Sequence, residues 1–395
     1  MTKLTRRAAI LSAAALPPAL GMALARPALA QAGDPFKVGL ILPMTGPFAS
    51  TGRQIDAAVK AWLRANPAPV AGKRFEILLR DDTGVAPDVT RRLAQELVVR
   101  ERVRALAGFG LTPLALSAAP IATEAKVPML VMAAATSIIP QRSPYIVRTS
   151  FTLPQAVRPM ADWAAKNGIK SVVTMVTDFA PGLDSEKAFK ETFTAAGGTI
   201  AGEIRTPLRN PDYAPFLQRV RDLKPDALFI FVPSGEGSAL IKQFSERGLK
   251  EAGIRLIGTG DVLDDDILND MGEAVVGAVT SHHYSTAHES PENAAFREAF
   301  RAVAPEMRPN FMAAGGWDGM HLLAEALRRT NGDTDGTKLV EAMKGQSWTS
   351  PRGPVSIDPA TREMVQDIYI RRTERRDGQL WNIEFDRIQG VKDAA

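Results

Sequence analysis

Lys37-Val38-Gly39-Leu40-Ile41-Leu42, closed by Pro43 and the turn Thr45-Gly46-Pro47, sets the architecture. It is a short apolar run without polar alternation, the pattern of a strand buried on both faces, and such strands belong to parallel sheets covered by helices. Residues 53–64 then read as a helix. Phe75-Glu76-Ile77-Leu78-Leu79 predicts the next strand, ending at Asp81-Asp82-Thr83-Gly84, and Val89, Leu93 and Leu97 mark one helical face behind it. A strand near 104–108, a helix near 113–124 and a strand at Met129-Leu130-Val131-Met132 continue the alternation. The grammar restarts near residue 155, with strands expected at 172–177, 199–205, 227–232 and 255–258 and helices at about 183–196, 212–222 and 236–247. A long helix over 311–329 aligns Trp317, Met320, Leu323 and Leu327 on one side as core packing. From 352 onward the pattern is β-rich and hairpin-like, turning at Asp377-Gly378. The predicted fold is α/β: two Rossmann-like lobes of similar size with a cleft between them.

Composition narrows the chemistry. The chain has 395 residues, 45% hydrophobic and 23% charged, as in globular proteins with a real core. It has no cysteine, so disulfides, thiolate zinc sites, iron–sulfur clusters and catalytic thiols are excluded. Lys+Arg number 48 against 44 Asp+Glu, and position explains the excess: Lys3, Arg6, Arg7 and Arg26 lie in residues 1–30, which carry no acid. A positive start, the apolar stretch Ala8 to Leu24 and Ala28-Leu29-Ala30 form the layout of an export signal, with cleavage expected after Ala30. Pro17, Pro18 and Arg26 interrupt the run, which argues against a membrane span of about 20 apolar residues. Arg6-Arg7 resembles a twin-arginine signal without the usual following aromatic residue, so the general secretory route stays open. No cysteine stands near the cleavage site, so no lipid anchor is expected. The remaining chain is formally neutral, which gives no support to phosphate-backbone binding; no nucleic-acid partner is expected.

Several constellations carry less than their composition suggests. Gly108-Phe109-Gly110 sits between strand and helix, but the third fingerprint position is Pro113 and no acid follows on the next strand, so a nicotinamide site is not supported. The turn fits close approach of backbone to a ligand. His282, His283 and His288 lack metal-ligand spacing; neighbouring strand residues point to opposite faces, so surface or cleft-edge histidines and no metal are expected. Asp264-Asp265-Asp266 reads as the acidic first turn of a helix, and Asp81-Asp82 as a strand-to-helix turn. No Gly-x-Ser-x-Gly elbow, Walker loop or EF-hand loop is present, so no catalytic residue and no cofactor are predicted.

Segments spanning nearly all of the remaining chain resemble the periplasmic binding proteins of the Leu/Ile/Val-binding type. These type I receptors serve the branched-chain amino-acid and amide class of ABC importers. The segments are Pro43-Met44-Thr45-Gly46-Pro47, Arg80-Asp81-Asp82-Thr83, Gly108 to Thr112, Pro128-Met129 through Thr136, Asp178-Phe179-Ala180-Pro181-Gly182 and Gly258-Thr259-Gly260-Asp261. The resemblance implies a ligand in the interlobe cleft. Its carboxylate would be held by hydroxyls and N–H groups at Leu111-Thr112 and Ala134-Ala135-Thr136, chemistry that suits a neutral anion site at a helix N-terminus. A ligand ammonium would meet the Ala134 carbonyl and Asp261. Ordinary helix capping is the alternative role for Thr112, Thr136 and Asp261.

Three positions differ from the amino-acid binders. Their closing aromatic residue falls near Pro181, with Phe179 as a substitute; a first-lobe tyrosine corresponds to Thr51, beside Phe48; and Asp261 replaces a common Glu. Relatives bind branched-chain amino acids, small amides and aromatic carboxylates, and the sequence leaves all three open. The predicted lobes are 34–150 plus 283–346 and 151–282 plus 347–395. The implied protein is a periplasmic monomer that captures a small carboxylate by hinge closure and passes it to an ABC permease and its ATPase. A ligand-sensing module and an exported α/β enzyme are the other classes open to this sequence.

Overall fold

The computed structural model describes residues 34–393, so the export segment expected at 1–30 lies outside the described residues. Five strands, β1 (Phe36–Leu42), β2 (Phe75–Asp81), β3 (Ala105–Gly108), β4 (Met129–Val131) and β5 (Ile146–Arg148), form an all-parallel sheet in the order β2-β1-β3-β4-β5. Helices α1 (Ala49–Ala65), α2 (Pro87–Val99) and α3 (Thr112–Ala125) cross between them. Every residue of β1 except Lys37 is buried, as its unbroken apolar run requires. Helix α1 begins at Ala49, earlier than its apolar spacing predicts, because Thr51 and Gln54 are buried polar positions that hide the period.

After β5 come α4 (Leu153–Lys166), β6 (Ser171–Thr177), α5 (Ala180–Ala195), β7 (Thr199–Thr206), α6 (Ala214–Leu223), β8 (Ala227–Phe231), α7 (Gly237–Glu246), β9 (Arg255–Thr259) and β10 (Val279–His282). These five strands are parallel, and β6, β8 and β9 carry buried apolar runs. The chain then returns to the first lobe as α8 (Pro291–Arg301), α9 (Phe311–Arg329) and α10 (Gly336–Met343), with α8 and α9 packed on α1. Trp317, Met320, Leu323 and Leu327 of α9 face its core. Finally β11 (Ser347–Ser350), β12 (Gly353–Ile357), β13 (Met364–Arg376) and β14 (Gln379–Val391) add an antiparallel border to the second sheet, β13 beside β10. The hairpin between β13 and β14 turns at Asp377-Gly378, both with positive φ.

The chain therefore passes between lobes three times, at 149–152, 283–290 and 344–346. The first passage ends in a capping box: Gln155 N–H donates to Thr152 Oγ1, and Thr152 N–H to Gln155 Oε1 at 2.9 Å. One apolar cluster runs from β1 and α9 through Phe151 and Phe311 into β6 and β8, so the lobes share a core at these passages.

Candidate functional site

The carboxyl ends of the parallel strands of both lobes face one cleft, where open α/β sheets place ligands. On the first-lobe side, β3 runs into Gly108, whose φ of +107° and approach to the Ile41 carbonyl leave no room for a side chain. Phe109 follows, fully buried with φ +67°, a conformation a bulky residue holds only when its surroundings impose it. This forced turn brings Gly110, Leu111 and Thr112 to the cleft wall. Helix α3 begins there without a side-chain cap, because its N-cap residue is Leu111, and the Thr112 hydroxyl bonds the Thr136 hydroxyl at 2.7 Å. The backbone N–H groups of Leu111 and Ala135 have no acceptor among the described residues. Together with the α3 N-terminus they form an uncharged group of donors at one wall of the cleft, chemistry that suits an anion.

A buried arginine shapes that end. Arg148, the last residue of β5, donates from Nη1 to the carbonyls of Ala134 and, at 3.2 Å, Phe151, from Nη2 to Thr136 O at 2.6 Å, and from Nε to Glu363 Oε2 at 2.6 Å. In a planar trans peptide the C=O and N–H point opposite ways. Drawing the Ala134 carbonyl toward Arg148 therefore turns the Ala135 N–H away from it, and drawing the Thr136 carbonyl does the same for Ser137, whose N–H reaches Asp184 Oδ2 on α5 at 3.3 Å. Burial raises the carboxyl pKa of Asp184 and pushes that of Glu363 up to about 7, against the pull of Arg148.

These segments line one cavity between the lobes. Its walls are aromatic: Phe48 and Phe151 on one side, Phe179 and Phe231 on the other, the latter two stacked at 6.1 Å. Ala133, Leu153, Pro181, Pro233 and Met312 add apolar lining, and Thr51 lies among them. From the second lobe come Asp261 and Ser234. Gly260, just before Asp261, is where the His282 ring and the Arg371 guanidinium press against the backbone, leaving no space for a Cβ.

Of the eight residues singled out by sequence, Phe48, Leu111, Thr112, Ala134, Ala135, Phe179 and Asp261 line this one cavity. Thr136 stands one step back and reaches it through Thr112. The Ala134 carbonyl, which the resemblance assigns to a ligand ammonium, accepts from Arg148. Sequence reasoning did not single out Arg148, Phe151, Phe231 or Ser234. The one available signal was an arginine ending the apolar run Ile146-Val147, where a charge needs a buried partner.

Two expectations are overturned. His282 and His283 are fully buried rather than at the surface or the cleft edge, while His288 is half-buried; the His282 and His283 rings lie 4.4 Å apart because β10 ends between them and the strand alternation stops. Among the described residues no group of His, Asp and Glu is arranged to hold a metal. Asp264, Asp265 and Asp266 are not a helix first turn but a loop in which Asp264 and Asp265 are interior and Asp266 is half-buried. Asp265 takes Asn382 Nδ2 and the Thr286 N–H, and Asp266 takes the Arg308 N–H.

Asp264, on the second lobe, accepts from Ser234 Oγ and, at 2.9 Å, from Nδ2 of Asn310, which caps first-lobe helix α9. Burial pushes Asp264 up to about 8 from 3.8. Between those values the folded protein holds a proton that the unfolded chain releases. That stabilisation is complete below the lower value and is lost as pH rises through the upper one. Stability measured by urea unfolding is expected to fall from pH 5 to 8, by up to about 1.4 kcal/mol per pH unit for one proton. Asp264→Asn should flatten that slope; an unchanged slope would remove Asp264 as its source.

Comparison with known proteins agrees with this architecture. A family profile described as periplasmic binding protein matches residues 35–379. Leu/Ile/Val-binding protein homolog 6 of Brucella abortus (strain 2308) is 42% identical over 355 residues, covering 89% of this chain and 91% of its own. The solute-binding protein of an ABC transporter from Rhodopseudomonas palustris BisB5, crystallised with 3,4-dihydroxybenzoic acid, is 59% identical with a TM-score of 0.89, over 91% of this chain and 99% of that one. A Rhodopseudomonas palustris solute-binding protein in complex with 4-hydroxybenzoate is 40% identical, with the same TM-score and coverage.

Proposed function

The chain belongs to the periplasmic binding protein family, and from that premise we propose that it is the substrate-binding component of an ABC importer for hydroxylated aromatic carboxylates. It acts in the periplasm, captures the acid unchanged, and hands it to a permease and its ATPase. The observation that carries the ligand class is the commitment of the Ala134 carbonyl to Arg148. An amino-acid ammonium brings three donors to the site, a phenol one. A carbonyl already accepting from a guanidinium is a weakened acceptor for an ammonium, and Asp261, the one carboxylate lining the cavity among the described residues, suits a single hydroxyl between aromatic walls. The carboxylate lies at Thr112 and the N–H groups of Leu111 and Ala135, with Thr136 supporting Thr112 from behind.

Closure follows from contacts that both lobes must supply. Phe48 and the 110–112 turn belong to the first, Phe179, Phe231 and Asp261 to the second, and a ligand touching both shifts the population toward the closed form. Across the rim Arg209 Nη2 reaches Val85 O at 3.2 Å, a contact that opening would break. The three chain passages act as the hinge. Calorimetric titration is expected to give one-to-one binding of 3,4-dihydroxybenzoate and 4-hydroxybenzoate, with leucine silent. At about 100 times the dissociation constant, ligand should add about 2.7 kcal/mol of stability. Leucine binding with both phenolic acids silent would sink the reading.

A further inference from the structure

Behind the Asp261 wall lies a histidine whose two ring nitrogens can be told apart. The His282 ring is fully buried between those of Phe151 and Phe311, at 4.6 and 4.2 Å. The His283 N–H donates to its Nδ1 at 3.0 Å, so Nδ1 carries the lone pair and the ring proton sits on Nε2. Nε2 faces Asp261 Oδ2 at 3.4 Å. Neither atom has another partner among the described residues, and a buried donor and acceptor left unpaired are costly, so this 3.4 Å approach is the contact open to both. Burial holds the imidazole pKa down to about 4, which keeps it uncharged at neutral pH. The remaining oxygen, Oδ1, is not enclosed by protein and is the one left to the cavity.

We propose that His282 is a specificity-determining positioning residue. Its Nε2–H holds one oxygen of Asp261 from behind, so that the other accepts the hydroxyl proton of an aromatic ligand and separates hydroxylated from unsubstituted acids. The inference rests on the ligand class proposed above. It assigns the discrimination to a residue that does not itself touch the ligand. The shape of the pocket alone does little here, because an apolar site discriminates weakly against a missing hydroxyl, whereas a buried acceptor left empty discriminates strongly.

The test titrates 4-hydroxybenzoate and benzoate into the wild-type protein, His282→Phe and His282→Gln. Wild type is expected to favour 4-hydroxybenzoate at least tenfold. Phe fills the space between Phe151 and Phe311 without a donor, and should reduce that preference by about tenfold, the scale of one hydrogen bond to a charged group, with benzoate affinity within about twofold. Gln, whose amide N–H reaches the same oxygen, should restore most of the preference. A long-range proton–nitrogen NMR spectrum of the wild type should show the Nε2–H tautomer, perturbed by 4-hydroxybenzoate more than by benzoate. An Nδ1–H tautomer, or an unchanged preference in His282→Phe, would overturn the proposal. Equal wild-type affinity for the two acids would overturn it while leaving the ligand class standing; wild-type binding of neither would overturn both.

Discussion

Arg148→Met is expected to destroy ligand capture and to lower stability by about 3–5 kcal/mol, the usual cost of breaking a buried ion pair from one side. The side chain is fully buried and its partner Glu363 nearly so. Methionine keeps the apolar stem but leaves Glu363 without its cation and the carbonyls of Ala134 and Phe151 without a donor, while Thr136 O keeps only the Ile139 N–H at 3.3 Å. The loss at the site is one of orientation: nothing then holds the Ala134 peptide with its N–H partner turned to the cavity. Lysine should not rescue it, since a single ammonium cannot span the fork that guanidinium offers these acceptors. Urea unfolding and calorimetry separate the two effects. The double variant Arg148→Met/Glu363→Leu should recover much of the stability and none of the affinity. Wild-type affinity in Arg148→Met would show that the anion loop is held in place by other means.

Arg352→Met is expected to cost a similar 3–5 kcal/mol, here through the passages between lobes. Arg352 and Asp318 are both fully buried. The guanidinium donates to Asp318 Oδ2 from Nε at 2.8 Å, to Thr149 O at 2.5 Å, to Ser150 O at 3.3 Å and to Gln366 Oε1 at 2.8 Å. One side chain thus joins α9, the first passage, the β11–β12 turn and β13. Asp318 would keep only two neutral donors, Trp348 Nε1 at 2.9 Å and Ser350 Oγ at 2.8 Å, too little for an interior carboxylate. A loss below about 1 kcal/mol would mean that the network is not needed for the fold. Because Arg148 and Arg352 both bond the backbone of 149–151, their variants should be non-additive when combined.

Much of the cavity was legible residue by residue. Gly108-Phe109-Gly110 marks a turn where only tight backbone fits, and the threonines and Asp261 stand just beyond strand ends, where parallel sheets present their ligands. Other members were not legible. Phe231 is the last residue of an apolar strand and Ser234 lies in an ordinary loop, and nothing local separates them from core and surface residues of the same type. His282, His283 and Asp264 misled for a shared reason: polar side chains are taken as exposed by default, and only the neighbours that close over them reveal otherwise.

The amino-acid sequence by itself determined most of the order of strands and helices, though not β5, α4, β10, α8 or α10, together with the parallel α/β class in two lobes and the loops that carry the cleft. Those follow from periods of two to four residues and from turn residues that act within one loop. Only the tertiary structure decided which carbonyl is free, which nitrogen of His282 bears the proton, and which carboxylates are interior. Arg148 and Glu363 lie 215 residues apart, and Asp264 and Asn310 lie 46 apart. Burial and charge pairing at such separations depend on where the folded chain brings its segments together, and no local pattern encodes that meeting.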